Sequence, residues 1–261
     1  MSIFIKPQKL SVKYIDATWN MTIKGQGYKQ YLKEHVPNAI HFDIDEIADQ
    51  KSYYPHMVPS AEQFNKQMSS KGLKHTDKLV IYDQMGTFSS CRVYWMFKLF
   101  NHPQIQIMDG GLPLWKAMGL ETTDKLPILQ HRPNSYKGTL NRSLLKTFED
   151  IQSTTSCIVD ARSKSRFNGT EKEPRPIPGG HIPNSLNLPF SQLLTSTNQL
   201  KDKHEIQQLL DGLKLDKSKE IITTCGSGVT ASILFAILTD MGYKASVYDG
   251  SWTEYSQRRI N

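Results

Sequence analysis

One short segment of the chain, Cys225-Gly-Ser-Gly-Val-Thr230, places a nucleophilic thiol at the start of a loop with two glycines. A β-branched run over 221–224 precedes the loop, and an apolar helical pattern over 229–241 follows it. Such a loop presents backbone N–H groups and the positive end of a helix dipole, which both favour a thiolate. Gly226 and Gly228 allow tight curvature and leave the sulfur uncovered. We therefore predict a reactive Cys225 thiolate, cradled by the amides of Gly226, Ser227, Gly228, Val229 and Thr230.

Three kinds of cysteine chemistry use a loop of this type, and the neighbouring residues distinguish them. A phosphatase of the C-x5-R type needs an arginine to close the loop on phosphate, but this chain has Ala231 at that position. A Cys–His hydrolase needs an oriented base and an acyl-binding groove, for which the sequence has no local signature. Sulfur transfer needs only a thiolate, a cradle for a persulfide anion, and groups that hold an anionic donor. This third chemistry fits the loop best.

The other two cysteines, Cys91 and Cys157, lack this context. Cys91 begins a helical pattern and Cys157 leads into a β-branched run, so we predict that both belong to the core. Three cysteines without a CxxC pair or an adjacent histidine cluster argue against a disulfide framework and a structural zinc site. We expect reduced thiols and no bound metal.

The composition indicates a folded, mildly basic protein of 261 residues. Hydrophobic residues make up 38% and charged residues 22%, which suffices for a core and argues against disorder. The net charge is +7, but acidic residues interrupt the basic ones, so we expect no nucleic-acid partner. No apolar run approaches the roughly 20 residues of a membrane span, and the apolar N-terminal stretch is short for a signal peptide. We expect a cytoplasmic protein without a membrane partner.

Four pairs of matching segments recur in the same order and at similar spacing, which indicates an internal repeat. The pairs are Tyr14-Ile-Asp-Ala-Thr18 with Ile158-Val-Asp-Ala-Arg162, His35-Val-Pro-Asn-Ala39 with His181-Ile-Pro-Asn-Ser185, Leu79-Val-Ile-Tyr-Asp83 with Glu220-Ile-Ile-Thr-Thr-Cys225, and Ile107-Met-Asp-Gly-Gly111 with Val247-Tyr-Asp-Gly-Ser251. We predict an N-terminal domain over 1–121, a linker over 122–142 and a C-terminal domain over 143–261. Because His35 and His181 belong to the repeat, we expect them to serve the fold.

Both halves alternate short β-branched runs with helical patterns, which predicts α/β domains. Each domain should have a mostly parallel sheet flanked by helices on both faces. We predict strands over 79–82 and 221–224 and helices over 91–100 and 229–241, with Gly242 just after the second helix. At the position of Cys225 the first half has Asp83, so the chemistry is expected in the second half alone.

These motifs together resemble the two-domain sulfurtransferases of the rhodanese superfamily. The resemblance rests on Cys225-Gly-Ser-Gly-Val-Thr230, the repeated His-Ile-Pro-Asn segment and Tyr248-Asp-Gly-Ser-Trp252, and it covers the chain from Tyr14 to Arg258. It implies two rhodanese-like domains, an inactive N-terminal one and a C-terminal one with the catalytic cysteine. The Gly-Ser-Gly sequence is similar to members that use 3-mercaptopyruvate, whereas thiosulfate-using members carry basic residues after the cysteine. A neutral loop suits a keto acid whose single carboxylate is held elsewhere.

The resemblance also implies the other site residues. Arg166 and Arg175 match the two arginines that bind the donor's carboxylate and keto oxygen. Ser227, His56 and Asp45 match a Ser-His-Asp arrangement, with Asp43 as a competing candidate for the carboxylate. Since His56 and Asp45 come from the first half of the chain, we expect the site in a cleft between the domains.

The implied reaction transfers the sulfur of 3-mercaptopyruvate to Cys225 and releases pyruvate, without a metal or organic cofactor. A thiol, reduced thioredoxin or cyanide then accepts the sulfur. Two alternatives stay open at this point. One is a thiosulfate-preferring rhodanese, and the other is a non-catalytic module that carries persulfide sulfur or binds a partner.

Overall fold

The structure, a computed structural model, describes residues 2–259, and the chain divides into two compact units. Unit 1 comprises Met1–Lys51, Val58–Asn141 and Thr197–Gln199. Unit 2 comprises Ser52–Met57, Arg142–Ser196 and Leu200–Asn261. Most of the segment in which the sequence predicts a linker, residues 122–141, therefore belongs to unit 1, whereas a short piece of the N-terminal half belongs to unit 2.

Each unit contains a five-stranded sheet in which every pair of neighbouring strands is parallel. The order in unit 1 is β1-β5-β4-β2-β3 and in unit 2 it is β6-β10-β9-β7-β8, so the two topologies are equivalent. The strands of unit 1 are β1 (Phe4–Ile5), β2 (Lys13–Asp16), β3 (Ile40–His41), β4 (Leu79–Tyr82) and β5 (Ile105–Met108). Those of unit 2 are β6 (Leu145–Lys146), β7 (Cys157–Asp160), β8 (Leu186–Asn187), β9 (Glu220–Thr224) and β10 (Lys244–Tyr248).

Helices lie between all consecutive strands except β1 and β2, as expected for crossover connections in a parallel sheet. In unit 1 they are α1 (Gln26–Lys33), α2 (Ile44–Ile47), α3 (Ala61–Ser70), α4 (Ser89–Leu99) and α5 (Gly111–Ala117). In unit 2 they are α6 (Phe148–Ser153), α7 (Lys164–Phe167), α8 (Lys203–Gly212), α9 (Ala231–Asp240) and α10 (Ser251–Arg258), with short 3-10 turns at Arg142–Leu144 and Phe190–Leu193. The predicted α/β class and the parallel sheets are confirmed.

The central strands and the helices that follow them agree with the sequence pattern. β4 has the predicted bounds, β9 begins one residue earlier, and all four residues of β4 are buried, as expected for a strand covered on both faces. α9 is buried from residue 231 to residue 238, because its sequence is apolar on every side. Gly242 follows α9 with φ 85° and its N–H donates to Thr239 O at 3.1 Å, which confirms its predicted role as helix terminator.

The repeated His-x-Pro-Asn segment forms the same tight turn in both units. Asn38 and Asn184 have φ of 61° and 63°, a left-handed conformation that asparagine tolerates better than most residues. His35 Nδ1 lies 2.7 Å from Tyr31 O, and His181 Nδ1 lies 2.8 Å from Phe167 O. Both histidines thus bind backbone carbonyl groups of their own unit, as expected for residues that serve the fold.

Within residues 2–259, no helix has the length and apolar character that crossing a bilayer requires.

Candidate active site

Cys225 directly follows β9, and its loop leads into α9. Cys225 is only 2% exposed to solvent. The Cys225 N–H donates to Ser251 Oγ at 3.2 Å, and the Cys225 carbonyl accepts from the Trp252 N–H at 3.0 Å. The backbone on both sides of the thiol is therefore fixed by the start of α10.

The carbonyl groups of the loop after Cys225 are bound to the neighbouring helices. Gly226 O accepts from the N–H of Thr253 at 3.0 Å and from its hydroxyl at 2.6 Å, and Gly228 O accepts from Ser232 Oγ at 2.9 Å. Gly228 has φ 81°, which a residue with a side chain would adopt only with strain. Among residues 2–259, no protein acceptor binds the amides of Gly226, Ser227, Val229 and Thr230. Unpaired N–H groups in a loop of this kind are the feature that an anion cradle needs.

The equivalent loop of unit 1, after β4, binds a negatively charged side chain. Asp83 takes the place of Cys225 after β4 and is fully buried. Its carboxylate accepts from the N–H groups of Met85, Phe88 and Ser90, each at 2.9 Å. The loop thus binds a negative side chain in unit 1, which supports the predicted anion cradle around Cys225 in unit 2.

The structure brings together two of the predicted catalytic residues. His56 Nδ1 lies 3.1 Å from Ser227 Oγ, although the two residues are far apart in the sequence. His56 belongs to the segment Ser52–Met57, which is part of unit 2. It has φ 61°, a conformation that costs a residue other than glycine roughly 1–3 kcal/mol and that clusters at functional sites.

The two candidate carboxylates, Asp43 and Asp45, have different partners in unit 1. Asp43 is the N-cap of α2, and its Oδ1 accepts from the N–H of Asp45 at 2.8 Å. Asp45 Oδ2 accepts from the indole N–H of Trp19 at 3.0 Å. Asp43 therefore has a structural function at a helix start, and Asp45 is the better candidate for the carboxylate.

Arg166 lies directly beside the Cys225 loop. It belongs to the short helix α7, which Ser163 caps by accepting from the Arg166 N–H at 3.3 Å. A Cβ atom added at Gly226 would be only 2.8 Å from Arg166 Nη2. The guanidinium group thus occupies the space that a side chain at position 226 would need. The other predicted arginine, Arg175, is half-buried in the proline-rich loop that follows, and its assignment stays a prediction.

Sequence reasoning did not identify the buried charged group that holds Arg166. Glu173 binds Arg166 Nη2 at 2.6 Å and Arg162 Nη1 at 2.8 Å, and Arg162 in turn binds Asp160 at 2.6 Å. Burial opposes the charge of Arg162, but its bonds to both carboxylates raise its pKa above the usual value. One difference between the two halves could have indicated this group. The second half has Arg162 in Asp160-Ala-Arg162, whereas the matching Asp16-Ala-Thr18 of the first half has a neutral threonine.

The other cysteines differ from Cys225 in their surroundings. Cys91 is fully buried, and burial, together with the nearby Asp83 and Asp109, raises the pKa of its thiol. Burial also raises the pKa of Cys157, which is half-buried at the start of β7. Neither thiol therefore favours the thiolate form. Within residues 2–259, no group of three or more His, Cys, Asp or Glu residues could hold a metal ion.

The chain is similar to known proteins over most of its length. The profile of the Rhodanese-like domain family matches residues 13–118 and again 141–258. The probable 3-mercaptopyruvate sulfurtransferase of Schizosaccharomyces pombe is 40% identical over 257 residues, which cover 94% of this chain and 86% of that protein. Thiosulfate sulfurtransferase of Rattus norvegicus is 36% identical over 257 residues, covering 95% and 86%. Proteins named for two different sulfur donors are thus similar to this chain.

The fold of the chain is also similar to that of a solved structure. The 3-mercaptopyruvate sulfurtransferase from Leishmania major superposes with a TM-score of 0.86 and 28% sequence identity. The alignment covers 98% of this chain and 75% of that one.

Proposed function

The chain belongs to the family of rhodanese-like domain proteins, and we propose that it transfers the sulfur of 3-mercaptopyruvate to a thiol acceptor through a persulfide on Cys225. One observation carries the choice of donor: the Arg166 guanidinium group occupies the space beside Gly226 at the entrance of a loop without charged side chains. This arrangement offers a keto acid one fixed cation for its carboxylate. A basic side chain at position 226, which would suit a dianion, has no room there.

Binding precedes the chemistry in this scheme. Arg166 and Arg175 hold the carboxylate and the keto oxygen of 3-mercaptopyruvate, so that its sulfur faces Cys225. The site needs no metal or organic cofactor for this step, because the thiolate is the nucleophile and the donor brings its own leaving group.

The transfer step breaks the carbon–sulfur bond of the donor. The Cys225 thiolate attacks the donor sulfur, a sulfur–sulfur bond forms, and the electron pair of the broken bond stays on carbon as the enolate of pyruvate. The proton of the donor's thiol moves to this carbon, which leaves pyruvate and a Cys225 persulfide anion. Ser227, polarised by His56 and Asp45, relays the proton, and the free amides of the loop stabilise the persulfide.

The second half of the reaction removes the outer sulfur. A thiol acceptor attacks it and regenerates the Cys225 thiolate. Reduced thioredoxin and cyanide are proposed acceptors, because both present a nucleophile that can displace the persulfide. Thiosulfate is the second candidate donor, since the 36% identical rat protein bears that name.

The experiment is a steady-state comparison of 3-mercaptopyruvate and thiosulfate with one common acceptor. We expect at least a tenfold larger kcat/KM for 3-mercaptopyruvate, and no turnover of either donor by Cys225→Ser. Mass spectrometry of the donor-treated protein without acceptor should show one added sulfur atom, which Cys225→Ser should lack; Cys157→Ser serves as the matched control that keeps it.

Each outcome has one meaning. A preference for thiosulfate would keep the persulfide on Cys225 and contradict the proposed donor. Transfer from neither donor would favour the carrier module, and substantial turnover by Cys225→Ser would contradict the scheme.

A further inference from the structure

We propose that Glu173 is a positioning residue that sets the donor selectivity of the site, because its carboxylate fixes the Arg166 guanidinium beside Gly226 and balances its charge. The inference rests on the proposed function, since it concerns the choice between a monoanionic and a dianionic donor. No part of the reaction scheme above uses Glu173.

The first argument is geometric. Arg166 Nη2 and Nε both point to Glu173, at 2.6 Å and 3.2 Å from Oε2. Two hydrogen bonds to one carboxylate fix the plane of a guanidinium group, which a single bond does not. The side chain of Glu173 is 2% exposed and also binds the fully buried Arg162, so the carboxylate itself cannot turn. Arg166 is therefore held where it faces the Cys225 loop.

The second argument is electrostatic. Asp160, Arg162, Glu173 and Arg166 form a chain of two carboxylates and two guanidinium groups whose charges cancel. Three of these side chains are at most 2% exposed, so solvent and salt screen the interactions between their charges only weakly. A balanced group can bind one carboxylate through Arg166 but offers little excess charge to a dianion. Removing the Glu173 charge would leave one net positive charge on this group of four side chains, in addition to that of Arg175.

The third argument concerns the space at position 226. The far end of an arginine usually moves away from a new methyl group at small cost. Arg166 cannot do so while Glu173 binds it, and its Nη2 would lie 2.8 Å from a Cβ at Gly226. Glu173 thereby also explains why the first residue of the loop is a glycine.

The test is Glu173→Gln, which keeps the size of the side chain and removes its charge. We expect the KM for 3-mercaptopyruvate to rise, the kcat/KM for thiosulfate to hold or increase, and the ratio of the two kcat/KM values to fall about tenfold. Glu173→Asp keeps the charge but shortens the side chain, so the ratio should still fall, by a smaller factor than with Glu173→Gln. The control is Asp211→Asn, which removes an exposed carboxylate of α8 in the same unit and should leave the ratio unchanged.

An equal loss of kcat/KM with both donors, at an unchanged ratio, would show a merely structural role and overturn the inference. If Glu173→Gln does not fold, Glu173→Asp decides, because the shorter side chain should still lower the ratio and an unchanged ratio would contradict us. The wild-type protein separates this result from the proposed function: if it shows no mercaptopyruvate preference, the proposed donor is wrong regardless of Glu173.

Discussion

At the residue scale, the pair of Ser227 and His56 connects the proposed proton relay to the thiol loop. The 3.1 Å separation of Ser227 Oγ and His56 Nδ1 allows a hydrogen bond, and Ser227 lies two residues after Cys225. The left-handed backbone of His56 indicates that its position is imposed by the surrounding segment. A side chain held at this cost is suited to a function that depends on orientation.

We predict that Ser227→Ala and His56→Ala each lower kcat for 3-mercaptopyruvate, by about 100-fold if the pair relays the proton. The double variant should lose little more than either single one, because residues that act as a unit are not additive. The measurement is the steady-state rate of the three variants. Ser218→Ala, a surface hydroxyl of unit 2, is the control. Independent, multiplying losses would argue against a relay.

At the element scale, the loop and helix that follow β4 correspond to the loop and helix that follow β9, and the two loops carry different side chains at the same position. In unit 1 the buried Asp83 carboxylate accepts hydrogen bonds from three N–H groups of its loop and of the start of α4. In unit 2 a thiol takes its place, and the amides of Gly226, Ser227, Val229 and Thr230 have no protein acceptor among residues 2–259. The same local geometry thus stabilises the fold in one unit and supports the proposed chemistry in the other.

Asp83→Asn should therefore destabilise unit 1, because an amide NH2 group would face backbone donors. We expect the free energy of unfolding to fall by about 3 kcal/mol, since charged hydrogen bonds are lost and donors are left buried. Urea unfolding measures this loss, with the exposed Asp124→Asn as control. A change as small as that of the control would mean that the loop does not need the anion. Activity per folded molecule should be retained.

At the scale of the whole molecule, residues 122–141 belong to unit 1 through buried polar contacts. The ring of Tyr136 is buried against Phe64 and Phe97, and its hydroxyl lies 3.0 Å from His102 Nδ1. His102 Nε2 lies 2.9 Å from Asp77 O. A neutral ring satisfies both contacts, because the N–H at Nε2 donates to the carbonyl group and Nδ1 accepts from the Tyr136 hydroxyl.

Burial lowers the pKa of His102 from 6.5 to about 4. Between these two values the unfolded chain binds more protons than the folded one, so stability is lost as the pH falls through this window. We predict that lowering the pH from 7 to 4.5 costs about 2.5 kcal/mol through this residue. Urea unfolding at both values measures it: His102→Gln should lose less stability than the wild type, and the exposed His131→Gln should behave like the wild type. Equal pH dependence of all three would contradict the prediction.

Several features of the protein followed from the sequence because they depend on local patterns. The repeat, the α/β class, β4, β9, α9 and its termination at Gly242 could be predicted from the period of apolar residues and from turn-forming residues. The Cys225 loop was recognisable for the same reason, since a strand, a short glycine-containing loop and a helix are adjacent in the chain. Asp83, at the position equivalent to Cys225, already indicated that the first half lacks the reactive thiol.

Only the tertiary structure decided what depends on side chains meeting across the fold. In the sequence, Glu173 is one of several charged residues in a polar segment, and nothing local indicates burial. In the folded protein it is buried between Arg162 and Arg166. The segment that carries His56 belongs to unit 2, and residues 122–141 to unit 1, for which the order of the chain has no signal. Periodicity reports which face of an element is buried, but it does not report which charged groups are buried together. The sequence by itself therefore determined the loop of Cys225 and the prediction that this thiol is the nucleophile, and tertiary packing decided which groups position the residues around it.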